Sequence, residues 1–149
     1  MVRVTLSSKP TLKNLRAMQN NIKWELVRNK IEKQHYSAIA GLGCSLCRHL
    51  GYGETPCEIH HIRRAGKRDN APVIGLCPEH HRGNSGVHGL GRKAFERKYK
   101  TSEEELLVKS LEILIAAGVG GPLVQAGLEA RLHALTAHLA EYSGYSVST

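Results

Sequence analysis

All four cysteines and six of the nine histidines of this 149-residue chain fall between Cys44 and His88. In order they are Cys44-x2-Cys47, His49, Cys57, His60-His61, Cys77-x2-His80-His81 and His88. Thiolates and imidazoles are the side chains that hold zinc and related ions, and a closed structural zinc site uses four of them. Cys44 and Cys47 form a knuckle in which two thiolates about a turn apart converge on one ion. Cys77 and His80 repeat that x2 spacing from the end of a predicted strand and the start of a short helix. The two pairs are therefore expected to share one structural zinc and to pin the intervening hairpin to its flank. Cys57 is able to replace His80 in such a set, but its place on the strand beside the second cluster makes it a nonligand in this reading. Residues 1–10 contain no apolar signal region, so the thiols are expected to stay reduced and to serve a metal rather than disulfides. Several histidines remain for chemistry.

A chain of this length forms one modest core, and with only 5% aromatic residues that core must be aliphatic. Such a core gains from a metal staple. The formal charge is +8, which favours a polyanionic partner, and it is unevenly spread. Residues 1–40 carry eight Lys/Arg against two acids, residues 60–100 carry ten against three, and residues 101–149 carry two against six. Basic charge thus sits on the amino-terminal arm and around the Cys/His cluster. No apolar run reaches the roughly 20 residues that span a bilayer, so no membrane partner is expected.

Along the chain, residues 1–10 read as a basic tail and 11–40 as a basic amino-terminal helix. Thr11 is the candidate cap, and Leu12, Leu15, Met18, Ile22, Leu26 and Ile31 recur at helical spacing. Residues 41–117 form the core domain with a following helix, and 118–149 a hinge and a carboxy-terminal helix. Within the core, Cys57–Ile62 and Ala71–Leu76 read as paired strands, and Pro78 opens a short helix that carries His80 and His81. The glycines at 83, 86, 89 and 91 predict a loop around His88. A helix follows from Arg92 to Tyr99. Ser102 and Glu105 fit a capping box for the next one. Leu128, Leu132, Leu135 and Leu139 repeat at 4, 3, 4 spacing, which is expected to pack on the domain rather than to form a coiled coil. The fold class is α+β.

Neutral histidines have a pKa near physiological pH and suit a general base. Adjacent strand residues point to opposite faces. For His60 and His61 to serve one site, the strand end is expected to bend. His81 follows a zinc ligand on its helix and is free to face the hairpin, and His88 returns from the glycine-rich stretch. Asn70 and Asp69 lie in the hairpin connection, where an amide can hold the turn or orient the base.

His60-His61, Asn70 and Cys77-x2-His80-His81 together resemble the His-Asn-His (HNH) nuclease family in its zinc-supported form. The run Gly86-Val87-His88-Gly89-Leu90-Gly91-Arg92-Lys93-Ala94-Phe95-Glu96-Arg97-Lys98-Tyr99, followed by residues 101–107, resembles the Ref (recombination enhancement function) nucleases of bacteriophages. The resemblance implies a ββα-metal, treble-clef-like core flanked by helices. It also implies an endonuclease that cuts DNA where a RecA filament has formed a displacement loop, in the cytoplasm of a bacterial host. Structural Zn2+ and catalytic Mg2+ or Mn2+ are the implied cofactors. By the same analogy His60, His81 and His88 hold the catalytic ion and His61 is the general base. Pro72 stands where the family places its asparagine, and Asn70 is the nearest substitute. DNA contacts are expected from Lys13, Arg16 and Lys23 of the arm and from Arg63, Arg64, Lys67 and Arg68. Three other readings stay open: a noncatalytic zinc module that binds DNA, an HNH endonuclease that works without RecA, and a recombination adaptor that docks through its leucine repeat.

Overall fold

The computed structural model describes residues 12–63 and 71–143. The protein is α+β, mostly helical, with one two-stranded antiparallel sheet among the described residues. The chain divides into two compact units, residues 1–33 and 34–149. The described part of the first unit belongs to helix α1 (Leu12–Gly41). Lys13, Arg16 and Lys23 are exposed there, as is Leu12. The tail at 1–10 and the cap at Thr11 lie outside the described residues.

The second unit begins with the last turns of α1, where His35 and Ile39 are buried. Helix α2 (Ser45–His49) follows, with Cys44 as its N-cap; the Cys44 sulfur accepts the Cys47 N–H at 3.4 Å. Strands β1 (Glu58–His61) and β2 (Val73–Leu76) pair in the register Glu58↔Leu76, Ile59↔Gly75, His60↔Ile74 and His61↔Val73. Both strands are shorter than predicted, although the Ile62 N–H still donates to the Pro72 carbonyl at 2.8 Å. Every residue of β2 is buried, as expected of a Val-Ile-Gly-Leu run packed on both α2 and the later helix α6 (Glu103–Ala116).

Pro78 occupies the first turn of α3 (Pro78–Arg82), where its missing N–H costs nothing. The predicted loop around His88 is instead a single helical turn, α4 (Val87–Leu90). Its glycines serve close packing. A Cβ on Gly86 would come within 2.5 Å of the Glu79 carbonyl oxygen, and one on Gly89 within 2.3 Å of the Gly83 carbonyl oxygen. Backbone therefore lies directly on backbone, and α4 is pressed against α3.

Helix α5 (Arg92–Tyr99) buries Phe95, the one phenylalanine of the chain. Helix α6 starts with the predicted capping box. Ser102 Oγ accepts the Glu105 N–H at 3.1 Å, and Glu105 Oε2 accepts the Ser102 N–H at 2.9 Å. Helix α7 (Pro122–Ser143) packs on α6. Leu128 and Leu139 are buried and Leu132 and Leu135 partly so, which covers the leucine repeat. The core is aliphatic apart from Phe95. Leu46, Ile74, Leu106, Leu111 and Leu114 are each at most 1% exposed and each stabilise the fold by roughly 1.5–3 kcal/mol.

Candidate metal centres

Among the described residues, two groups of side chains on this scaffold could hold a metal ion. The first is Cys44, Cys47, Cys77 and His80, whose ligand atoms all lie within 4.8 Å of one another. The N-cap and third residue of α2 supply two sulfurs, and the N-cap and third residue of α3 supply a sulfur and an imidazole nitrogen. His80 Nδ1 lies 3.6, 3.4 and 3.2 Å from the sulfurs of Cys44, Cys47 and Cys77, and the Cys47 and Cys77 sulfurs are 3.9 Å apart. A tetrahedral zinc with Zn–S bonds of ~2.3 Å has S···S edges of about 3.8 Å and S···N edges slightly shorter. Donor chemistry and spacing therefore fit a closed site for an ion such as zinc. Burial pushes the Cys47 thiol up to about 11, and the neighbouring cysteines add to that effect. An ion must displace those protons to bind. His80 is shifted the other way, its pKa lowered by burial, which keeps the imidazole neutral and its lone pair available. Cys57 stands outside this group; its sulfur is 3.6 Å from the Ala40 carbonyl.

The second group is His60, His81 and His88, again with ligand atoms within 4.8 Å of one another. Ring centroids are 5.0 Å apart for His60–His81, 5.2 Å for His60–His88 and 4.9 Å for His81–His88. The three imidazoles thus surround one point. His88 is exposed, so the group is open on one side, unlike the closed sulfur site. Burial first, and then His60 and His81, lower the His88 pKa. A neutral ring there presents a lone pair.

The separation of the two groups follows from local geometry. His80 and His81 are successive residues of α3, turned by about 100° from each other, so one faces the sulfurs and the next faces β1. His60 and His61 are separated by the strand alternation. Pairing continues regularly through His61↔Val73, so the bend expected at this strand end does not occur. His60 joins the triad, and His61 packs its ring edge-on to Tyr36 at 6.1 Å. His61 is thus not a member of the cluster.

Two carboxylates that the sequence reading passed over hold the triad from behind. His60 Nε2 lies 2.5 Å from Glu103 Oε1, with both side chains about 5% exposed. His81 Nδ1 lies 2.7 Å from Glu58 Oε2, and Arg82 Nε donates to the same oxygen at 2.9 Å. These two hydrogen bonds lower the Glu58 pKa, His81 having the larger effect. Metal-binding histidines characteristically give their second ring N–H to a carboxylate in this way. Glu58 was readable, because it stands two residues before His60 and shares its strand face. Glu103 was not, because its acidic run is already accounted for by the helix start.

Of the remaining site expectations, Arg63 is exposed immediately after β1, while Arg64, Lys67, Arg68, Asp69 and Asn70 lie outside the described residues.

A family model described as recombination enhancement, RecA-dependent nuclease matches residues 29–115, more than half of the chain. The chain belongs to this family. The matched stretch contains every residue of both metal groups and both supporting carboxylates, and it excludes α7. No curated protein and no solved structure matches the chain significantly. In this member of the RecA-dependent nuclease family, then, the histidines are carried by β1, α3 and α4, with Glu103 of α6 behind His60.

Proposed function

We propose that this chain is a metal-dependent DNA endonuclease of the HNH type that cuts displacement loops formed by RecA. The observation that carries the reading is the open His60–His81–His88 triad mounted on a strand pair and short helix, beside a closed Cys3His group. Zn2+ in the closed group would fasten α2 to the start of α3. A divalent ion held by the triad would neutralise charge developing on the phosphoryl oxygens and stabilise the leaving oxygen. Three imidazoles are softer donors than Mg2+ prefers, so Mn2+ is expected to support more activity at equal concentration.

His61 is assigned the general base, drawing the proton from the attacking water. In-line displacement places the attacking and leaving oxygens on opposite sides of phosphorus. His60 and His61 lie on opposite faces of β1, which suits a phosphate straddling the strand end. Arg63 sits two residues on and is assigned a phosphate contact, together with Arg64, Lys67 and Arg68 of the hairpin connection and Lys13, Arg16 and Lys23 of the arm. Such contacts position the enzyme without reading sequence, and target choice is left to the pairing that RecA sets up. Asn70 is assigned to orienting the base.

The test compares cleavage of a RecA filament paired with its complement, in ATP and Mn2+ or Mg2+, against naked duplex. Strong cutting of the paired filament alone is expected. Equal cutting of naked duplex would leave an HNH endonuclease independent of RecA. Salt-sensitive binding without any cutting would leave a noncatalytic zinc module.

A further inference from the structure

Glu103 occupies the first position of α6, where an acid is normally exposed and stabilised by the helix dipole. Here it is 5% exposed, and it takes no part in the cap, which Ser102 and Glu105 complete between themselves. A buried carboxylate is costly unless it is paired. Its partners are His60, at 2.5 Å through Oε1, and Arg92, whose Nε lies 3.8 Å from Oε2. Arg92 stands at the start of α5 and also binds Glu104 Oε1 at 2.8 Å and Glu96 Oε1 at 3.1 Å. It ties the α5–α6 corner together and holds Glu103 beside its histidine. The other carboxylate behind the triad, Glu58, is a third exposed and shares its Oε2 between His81 and Arg82, which also binds its Oε1. Glu103 is therefore the better shielded of the two.

We infer that Glu103 is a positioning residue for the cation site: it accepts the Nε2 proton of His60, fixes that tautomer, and leaves Nδ1 as the bare nitrogen for an ion. The inference rests on the proposed reading of the triad as a cation site. It gives the first acid of the Ser102–Glu105 segment a task distinct from capping, and it makes Arg92 the residue that secures Glu103 in place.

The test uses the full-length zinc-loaded protein as parent, Glu103→Gln and Glu103→Ala. Long-range 1H–15N correlation spectra without added divalent ion report the His60 tautomer. Co2+ titration, followed by calorimetry and by its visible absorption, reports the open site. The parent is expected to show one His60 tautomer, protonated at Nε2. Glu103→Ala should lose that single form and bind Co2+ roughly 10–100-fold more weakly, with zinc content unchanged. Glu103→Gln keeps an acceptor oxygen and should fall between the two. A parent that binds Co2+ with His60 protonated at Nδ1 would overturn the inference alone. So would a Glu103→Ala protein that melts lower but keeps parental Co2+ affinity and spectrum, since that is a purely structural role. A parent that takes up no Co2+ while His60 stays protonated at Nε2 would overturn the cation-site reading, and Glu103's role toward an ion with it.

Discussion

Replacing Cys77 by Ser tests how far the second unit depends on its closed metal group. The four ligands join α2 to the β2–α3 junction; apart from them, α2 packs on β2, where Ser45 Oγ donates to the Gly75 carbonyl at 2.9 Å, and β2 pairs with β1 in a hairpin of two four-residue strands. A hairpin that short is marginal by itself. A structural zinc contributes an apparent ~10–16 kcal/mol at neutral pH, against a net domain stability of about 5–15 kcal/mol. If one lost ligand removes a quarter to a half of the lower figure, the cost is roughly 3–5 kcal/mol. At ~2–4 °C per kcal/mol for a chain of this size, the melting temperature should fall by roughly 6–20 °C. Circular dichroism melts, with zinc release followed by a chromophoric chelator, measure both quantities. Cys57→Ser is the control, because its sulfur lies outside the group; it should keep its zinc and melt within a few degrees of the parent. A Cys77→Ser protein that holds no zinc yet melts with the parent would refute the argument.

His61→Ala should leave the fold and DNA affinity intact and lower single-turnover cleavage by ~100-fold or more; cleavage at the parental rate would remove His61 from the mechanism. Neutralising Lys13, Arg16 and Lys23 together should weaken DNA binding and flatten its salt dependence by roughly 0.9 in log-log slope per lost phosphate contact, which filter binding across a salt series reads directly. His35 is buried and its pKa is depressed to about 4, chiefly by desolvation and then by Arg131. A depressed histidine is neutral when folded and protonates more readily when unfolded, so it costs stability as pH falls from about 6.5 towards 4. His35→Leu should therefore melt with a shallower acid slope than the parent in that window, and identical slopes would show that His35 does not titrate on unfolding.

Much of the site was legible because metal ligands follow short spacings. The x2 pairs predicted the Cys44, Cys47, Cys77, His80 group, and the structure brings those atoms together. The cap of α6 and the proline start of α3 were legible for the same reason: each depends on a few adjacent residues. Features set by long-range packing were not. The glycines around His88 carry the same letters in a loop and in a close backbone contact, and only the approach of α3 decides between them. The regular pairing through His61 depends on Val73 and Pro72 across the ribbon, so the strand end could not be judged from the His60-His61 pair alone. Glu103 reaches His60 across 43 residues of sequence, and no local pattern marks it.

The two metal groups are not independent, and their order of loss should show it. His80 and His81 are neighbours on the five-residue helix α3. Holding His80 against three sulfurs fixes the rotation of that helix and hence the direction of His81. Glu58 then meets His81 from β1, the strand that carries His60. His88 arrives on α4, which is packed on the α3 backbone around His80. His81 and His88 are thus placed, directly or at one remove, by the closed group, while His60 is held from α6 by Glu103. A mild chelator should therefore strip an ion from the triad and leave zinc, helix content and melting temperature unchanged. Removing zinc with a stronger chelator should abolish uptake at the triad as well. Co2+ uptake by the triad after verified zinc loss, with undiminished affinity, would break this chain of dependence at the His80–His81 step.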